Sequence, residues 1–192
     1  MSQPRLNSLS RDFWAKIDEQ VELLAGIISR LPQGHLEWAP PMPETAAPAP
    51  KCLGQVLGHL LQCLAGVLAV LHAAHPERLA GLMELRRLPV NHLCTESEAL
   101  ERIDQYRQHI REGFEIFEDG DFSRRLPTVF VQEGESLLTL LLGNFEHIVN
   151  HKHEIFVYAK RLGVPLVSRD LYRFRTELAG KRPAAAAAAR ES

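Results

Sequence analysis

The chain has 192 residues, enough for one well-packed domain and short for two. With 45% apolar and 24% charged residues its composition is that of an ordinary globular protein, and a formal net charge of −2 lacks the basic excess of a nucleic-acid-binding domain. No unbroken run of 18 apolar residues argues for a membrane span, and the opening MSQPRLNSLSRDFW lacks the apolar core of a secretory signal. Three cysteines, Cys52, Cys63 and Cys94, without CxxC spacing argue against a disulfide scaffold and suit a reducing cytoplasm.

Ser10–Leu31 is predicted as the first helix, because Phe13, Ile17, Val21, Leu24, Ile28 and Leu31 recur at spacings of three and four. Pro32 and Gly34 stop it. Residues 32–50 carry prolines at 32, 40, 41, 43, 48 and 50, which predicts a stiff, extended loop with Trp38 tucked against the bundle. Cys52–His72 is predicted as the second helix, with Cys52, Val56, His59, Cys63, Gly66 and Val70 as its inward stripe. Cys52 falls at the N-cap, where Ser, Thr, Asp or Asn would cap better. A helical turn around Leu79–Leu85 and a linker follow, over residues containing Pro76, Gly81 and Pro89.

Thr95–Asp119 is predicted as the third helix. Thr95 and Glu98 have capping-box spacing, and Leu100, Ile103, Tyr106, Ile110, Phe114 and Phe117 form the apolar face. The sequence EDGD at 118–121 reads as a turn and Thr128–Val131 as a brief extended piece. The fourth helix runs from near Glu135 to Gly163, with Leu140, Asn144, His147, His151, Ile155, Tyr158 and Leu162 facing inward. Ser168–Leu178 reads as a short helix whose Arg169, Arg173 and Arg175 form a solvated face or meet an anion, and six alanines after Pro183 read as a disordered tail. Residues 1–182 would then be a single domain and 183–192 an Ala-rich tail. Four long amphipathic segments without strand alternation predict an all-α four-helix bundle, whose apolar edges would allow a homodimer.

Two histidines on the fourth helix, His147 and His151, stand one turn apart, so their Cβ atoms lie about 5–6 Å from each other and one ion can bridge the rings. Chance alone supplies about 0.4 HxxxH pairs among nine histidines in a chain of this length, and core histidines satisfied by their neighbours are the bland alternative. His59, in the middle of the second helix's apolar stripe, tilts the reading towards a metal. Three buried imidazoles without a shared partner would cost about 1–3 kcal/mol for each unsatisfied group. Three His nitrogens at about 2.0–2.1 Å would leave a tetrahedral ion one open position. The remaining histidines read differently: His35, His72, His75 and His92 as solvated loop residues, His109 as a boundary residue and His153 as surface. Cys63, one turn from His59, reads as a small core residue that could also approach the ion.

The stretches LEWAPP at 36–41, CLGQVLGHL at 52–60 and HIVNHKHEIFVYAKRLGV at 147–164 together resemble the DinB/YfiT-like metal-dependent four-helix bundles, over roughly residues 10–164. The resemblance implies a metal triad of one histidine on the second helix and two on the last long helix, here His59, His147 and His151. It also implies a divalent ion, zinc first and nickel or iron next, and, as in some members, S-transfer from a low-molecular-weight thiol to a small-molecule electrophile. The chain departs from the common pattern at His151–Lys152–His153–Glu154, where many members have HRGQ, and at Cys52, where many have Ser. Coordination would deprotonate the thiol at neutral pH. Asn144 would orient a ligand or touch substrate, and Glu154 would accept a ring N–H. Water at the open position would instead favour hydrolysis, and a metal serving as a structural clip or a metal-free dimerisation module are the non-catalytic alternatives.

Overall fold

The computed structural model describes residues 8–41, 50–73, 77, 80–82, 84, 88–127 and 132–173. Four long helices form it: α1 (Ser8–Ile28), α2 (Leu53–Leu71), α3 (Glu96–Ile116) and α4 (Leu137–Arg161). Each follows from the three-and-four spacing of its apolar residues, with ends set by local chemistry. The Thr95 hydroxyl accepts from the Glu98 amide while Glu98 returns to the Thr95 N–H, a reciprocal cap that starts α3. Ser136 accepts from the Thr139 amide and starts α4. Cys52 is the N-cap of α2, where Gln55 accepts from the Cys52 N–H at 3.0 Å.

α2 is the central rod, packed against both α3 and α4, while α1 closes the bundle against the same two helices. Burial follows: Leu53, Val56, Leu57, Leu60, Leu61, Leu64, Val67, Leu68 and Leu71 of α2 are all sealed in the core. By length and composition α2 could cross a membrane, but 72% of that stretch is buried inside the bundle, as befits a core helix. Its half-buried and exposed residues, Gln55, His59, Gln62, Gly66 and Ala69, lie on one narrow strip. His59 therefore belongs to the outward strip of α2 and not to the middle of its inward stripe, as the sequence had suggested. A helix buried nearly all round has no apolar face that stands out, so its inward side cannot be read from apolar spacing alone.

The corresponding shift occurs on α4. Leu141, Ile148, Lys152, Ile155 and Ala159 face the core, while His147 is exposed and Asn144 and His151 are half-buried. The expected inward line through His147 and His151 is thus the edge of the buried face, rotated about one residue from its centre.

The shorter elements agree with the sequence reading in part. A two-residue antiparallel ladder, β1 (Arg125–Leu126) with β2 (Glu135–Ser136), pairs Arg125 with Ser136 and Leu126 with Glu135 ahead of α4. The expected extended piece Thr128–Val131 and the Ala-rich tail lie outside the described residues. Asp119–Ser123 is a 3-10 turn, and Ser168–Asp170 is a single 3-10 turn in place of the first part of the expected helix Ser168–Leu178, whose remainder from 174 lies outside the described residues. The described residues between 77 and 84 are helical, as expected around Leu79–Leu85. Trp38 packs edge-on against Tyr158 with ring centroids 5.4 Å apart, which fastens the proline-rich loop to α4.

Candidate metal centre

Two helices bring the three histidines together. His59 comes from the outward strip of α2, and His147 and His151 come from one edge of α4, one turn apart. One potential ligand atom from each ring lies within 4.8 Å of the other two. Ring centroids are 4.6 Å apart for His59 and His151, 5.5 Å for His147 and His151, and 6.0 Å for His59 and His147. Bonds of 2.0–2.1 Å around a tetrahedral ion place ligand nitrogens roughly 3.4 Å apart, so an ion bound here would draw the rings together.

Partners behind the rings favour the same use. Glu154 Oε2 lies 2.9 Å from His151 Nδ1. A carboxylate only accepts, so His151 Nδ1 carries the proton and Nε2 keeps its lone pair. On the other helix, His59 Nδ1 donates to Gln62 Oε1 at 3.3 Å, and Gln62 Nε2 donates to His92 Nδ1 at 2.8 Å. The Gln62 amide has one acceptor and one donor end, so the two bonds support each other. They leave the lone pair of His59 on Nε2.

The electrostatics agree. Burial, then the nearby Lys51 charge and His151, hold His59 below the ordinary imidazole value, so it is neutral near pH 7 and its nitrogen is available as a ligand. The hydrogen bond from His151 holds the Glu154 carboxyl below its ordinary range, so it remains an acceptor. Burial pushes Tyr158 up to about 12, so its hydroxyl stays neutral and donates to the Lys51 carbonyl at 2.9 Å. The three-histidine cluster, with two rings fixed from behind, is a set of donors that could bind a metal ion.

Glu154, expected to accept a ring N–H, lies at hydrogen-bond distance from His151 Nδ1. Asn144 bonds within its own helix, donating from Nδ2 to the Leu140 carbonyl at 2.8 Å, and its Oδ1 lies over Gly66 so closely that a Cβ there would collide with it. The absence of a side chain at Gly66 is what lets α4 approach α2 beside the site. Cys63 is buried and its sulfur is not among the clustered ligand atoms; burial pushes its thiol up to about 11, so it behaves as a small core residue.

Several residues matter here that the sequence reading did not single out, or placed elsewhere. Gln62 stands three residues after His59 on the same strip, a spacing that could have found it. His92 was expected in solvent. It is exposed, but it is tied to Gln62, 30 residues away, and no local pattern signals that. A Cβ on Gly58 would strike the His92 carbonyl carbon, so this glycine lets the His92 loop lie against α2. His72 was also expected in solvent, yet it is 3% exposed, packed at the end of α2 against Gly113. His35 is exposed with its Nδ1 near the Gln33 carbonyl, His109 pairs with Glu112, and His153 is exposed and stacks on Phe156, while His75 lies outside the described residues.

No family model matches the sequence, and no curated protein matches it. A solved structure does match the fold. The crystal structure of a DinB-like protein, YjoA, from Bacillus subtilis superposes with a TM-score of 0.59 at 14% identity, covering 81% of this chain and 96% of that one. The chain therefore has the DinB-like helical-bundle fold that the resemblance implied. At that identity the likeness shows the fold alone.

Proposed function

We propose that this chain is a metal-dependent thiol S-transferase. On this reading His59, His147 and His151 hold one divalent ion, zinc before nickel or iron, and a low-molecular-weight thiol is activated beside them for transfer to a small electrophile. One observation carries the reading: three ring nitrogens from two helices converge at a solvent-reaching edge, two of them with the opposite nitrogen already tied to Glu154 or Gln62. When bound, the ion supplies the positive charge that keeps a thiol deprotonated at neutral pH.

The protein's own groups fit that task. Three neutral imidazoles leave the charge of the ion uncompensated, and a three-ligand set leaves a coordination position open, as in catalytic sites. Exposure of His147 gives a small molecule access from solvent. Glu154 and Gln62 fix the protonated nitrogen of His151 and His59 and hold the rings in orientation, the role of outer partners at metal sites. Cys63, protonated and buried, does not compete with an incoming thiol. Three free thiols among the described residues suit a reducing cytoplasm, where small thiols are abundant.

Metal analysis of the purified protein, before and after chelation, reads the first half of this proposal. One ion per chain is expected, removed by chelator and absent from His59→Ala. Turnover of chlorodinitrobenzene with a panel of cellular thiols reads the second half. A protein whose melting temperature responds to neither metal nor chelator has no such site. A metal-loaded protein inactive with every thiol is no S-transferase.

A further inference from the structure

Beside the three histidines the surface opens into a recess of about 210 Å³, lined by Lys51, Gln55, His59, Gln62, Asn91 and His92. That is room for roughly seven water volumes of ~30 Å³ each, the size of a small organic group. Every lining side chain is polar and none is acidic. The floor is fixed, because Asn91 is fully buried and its Oδ1 accepts from the Tyr106 hydroxyl at 3.2 Å. The wall is fixed by the Gln62–His92 bond, which places the His92 proton on Nε2 and so gives the recess a donor. At the rim the Tyr158 hydroxyl pins the Lys51 carbonyl to α4.

Lys51 is the informative residue. It lines the same recess as His59, which places its side chain beside the histidine cluster. Among the described residues no carboxylate forms an ion pair with it, and Glu154 is engaged by His151. An ammonium beside a site for a divalent cation is repelled by that cation and weakens its binding. The arrangement becomes favourable when an anion sits between the two, attracted by both. A single ammonium flanked by neutral amide and imidazole donors suits a singly charged planar anion. Phosphate groups are more often met by a guanidinium fork or by free amides at a helix start, and here the Cys52 N–H at the start of α2 is already taken by Gln55.

We propose that this recess binds the carboxylate of a small organic acid, with Lys51 as its counter-ion, and so makes the substrate of the neighbouring histidine site an anionic one. This rests on the reading of the three histidines as metal ligands. The carboxylate belongs either to the thiol or to its electrophile, and the test separates the two.

Zinc is first titrated into the metal-free full chain, which reads the metal site by itself. The zinc-loaded chain is then titrated calorimetrically with 2-mercaptoethanol, 3-mercaptopropionate, maleate and inorganic phosphate, in the wild type, Lys51→Met and Lys51→Arg. One acid is expected to bind Lys51→Met about fivefold more weakly than the wild type, the upper range for a rim ion pair. That acid is 3-mercaptopropionate if the thiol carries the carboxylate and maleate if the electrophile does. Lys51→Arg should keep the wild-type affinity, 2-mercaptoethanol should bind all three proteins alike, and zinc should bind Lys51→Met at least as tightly as the wild type, since a repelling charge is gone. Normal zinc and 2-mercaptoethanol binding with neither acid sensitive to Lys51→Met overturns the carboxylate site and leaves the metal reading standing. An equal loss for inorganic phosphate overturns the assignment to carboxylates. Failure of zinc to bind overturns both readings.

Discussion

His151 and Lys152 are neighbours in the chain and face different environments. His151 lies half-buried on the edge of α4 that meets α2, with two more imidazoles and a carboxylate around it. Lys152 is 1% exposed on the core side. Its ammonium donates to Gln20 Oε1 of α1 and to the Leu171 carbonyl, and it lies 5.5 Å from the centre of the Tyr172 ring. Burial pushes it down to about 8, still protonated at neutral pH. The more deeply buried polar group is thus a fastener that joins α4, α1 and the segment after it. The less buried group belongs to the site. Burial of a polar side chain does not by itself mark function; convergence of like donors on one point is what makes the histidines a candidate site.

Breaking each half should separate metal binding from stability. The largest effect is expected at the histidines. Removing one of three ligands with His59→Ala should lower zinc affinity about a hundredfold or more, read by titration against a chelator of known affinity. The fold should survive, because His59 lies on the outward strip of α2. Lys152→Ala should show the reverse. It opens a cavity and strips the donor from two buried acceptors, and should cost about 2–4 kcal/mol in urea unfolding, while the metal content of the folded protein stays at the wild-type level. If Lys152→Ala also empties the site, the two faces of α4 are coupled and the division drawn between them is wrong.

The sequence carried the helices because their apolar residues keep helical spacing, and it carried the cap of α3 because Thr95 and Glu98, three residues apart, bond to each other. His147 and His151 were legible as a pair for the same local reason, and His59 joined them through its place among the apolar residues of the second helix and through the resemblance. What escaped depends on contacts between distant segments. Lys152 in a helical pattern reads as a solvated residue, since the groups that bury it, Gln20 and Leu171, lie 132 and 19 residues away. His92 and His72 sit beside loops and read as exposed. Only packing against α2 for one, and against α3 for the other, assigns them partners or burial. The outward strip of α2 escaped because nearly every other position of that helix is apolar and buried.

Smaller changes sharpen the same contrast within the site. Glu154→Gln keeps the size of the side chain, removes its charge and weakens its hold on the proton of His151 Nδ1. Gln62→Leu removes the corresponding acceptor for His59. Each should weaken zinc binding by about tenfold, the low end of what outer partners contribute, without changing the urea midpoint by as much as Lys152→Ala does. A loss from Glu154→Gln alone would mean that only the α4 half of the site is held from behind.

The smallest effect is expected from Tyr158→Phe. This residue touches both halves: its ring packs against Trp38, and its hydroxyl donates to the Lys51 carbonyl at 2.9 Å. Phenylalanine keeps the ring contact and loses the hydrogen bond, which is worth about 1 kcal/mol. The chain should lose about that much stability and bind zinc as before, because none of the three ring nitrogens depends on the phenol. Its effect should appear at the rim, where an unpinned Lys51 would hold a carboxylate less well. If zinc affinity falls with the hydroxyl, Tyr158 supports the histidines through Glu154, and the rim and the metal centre are one unit.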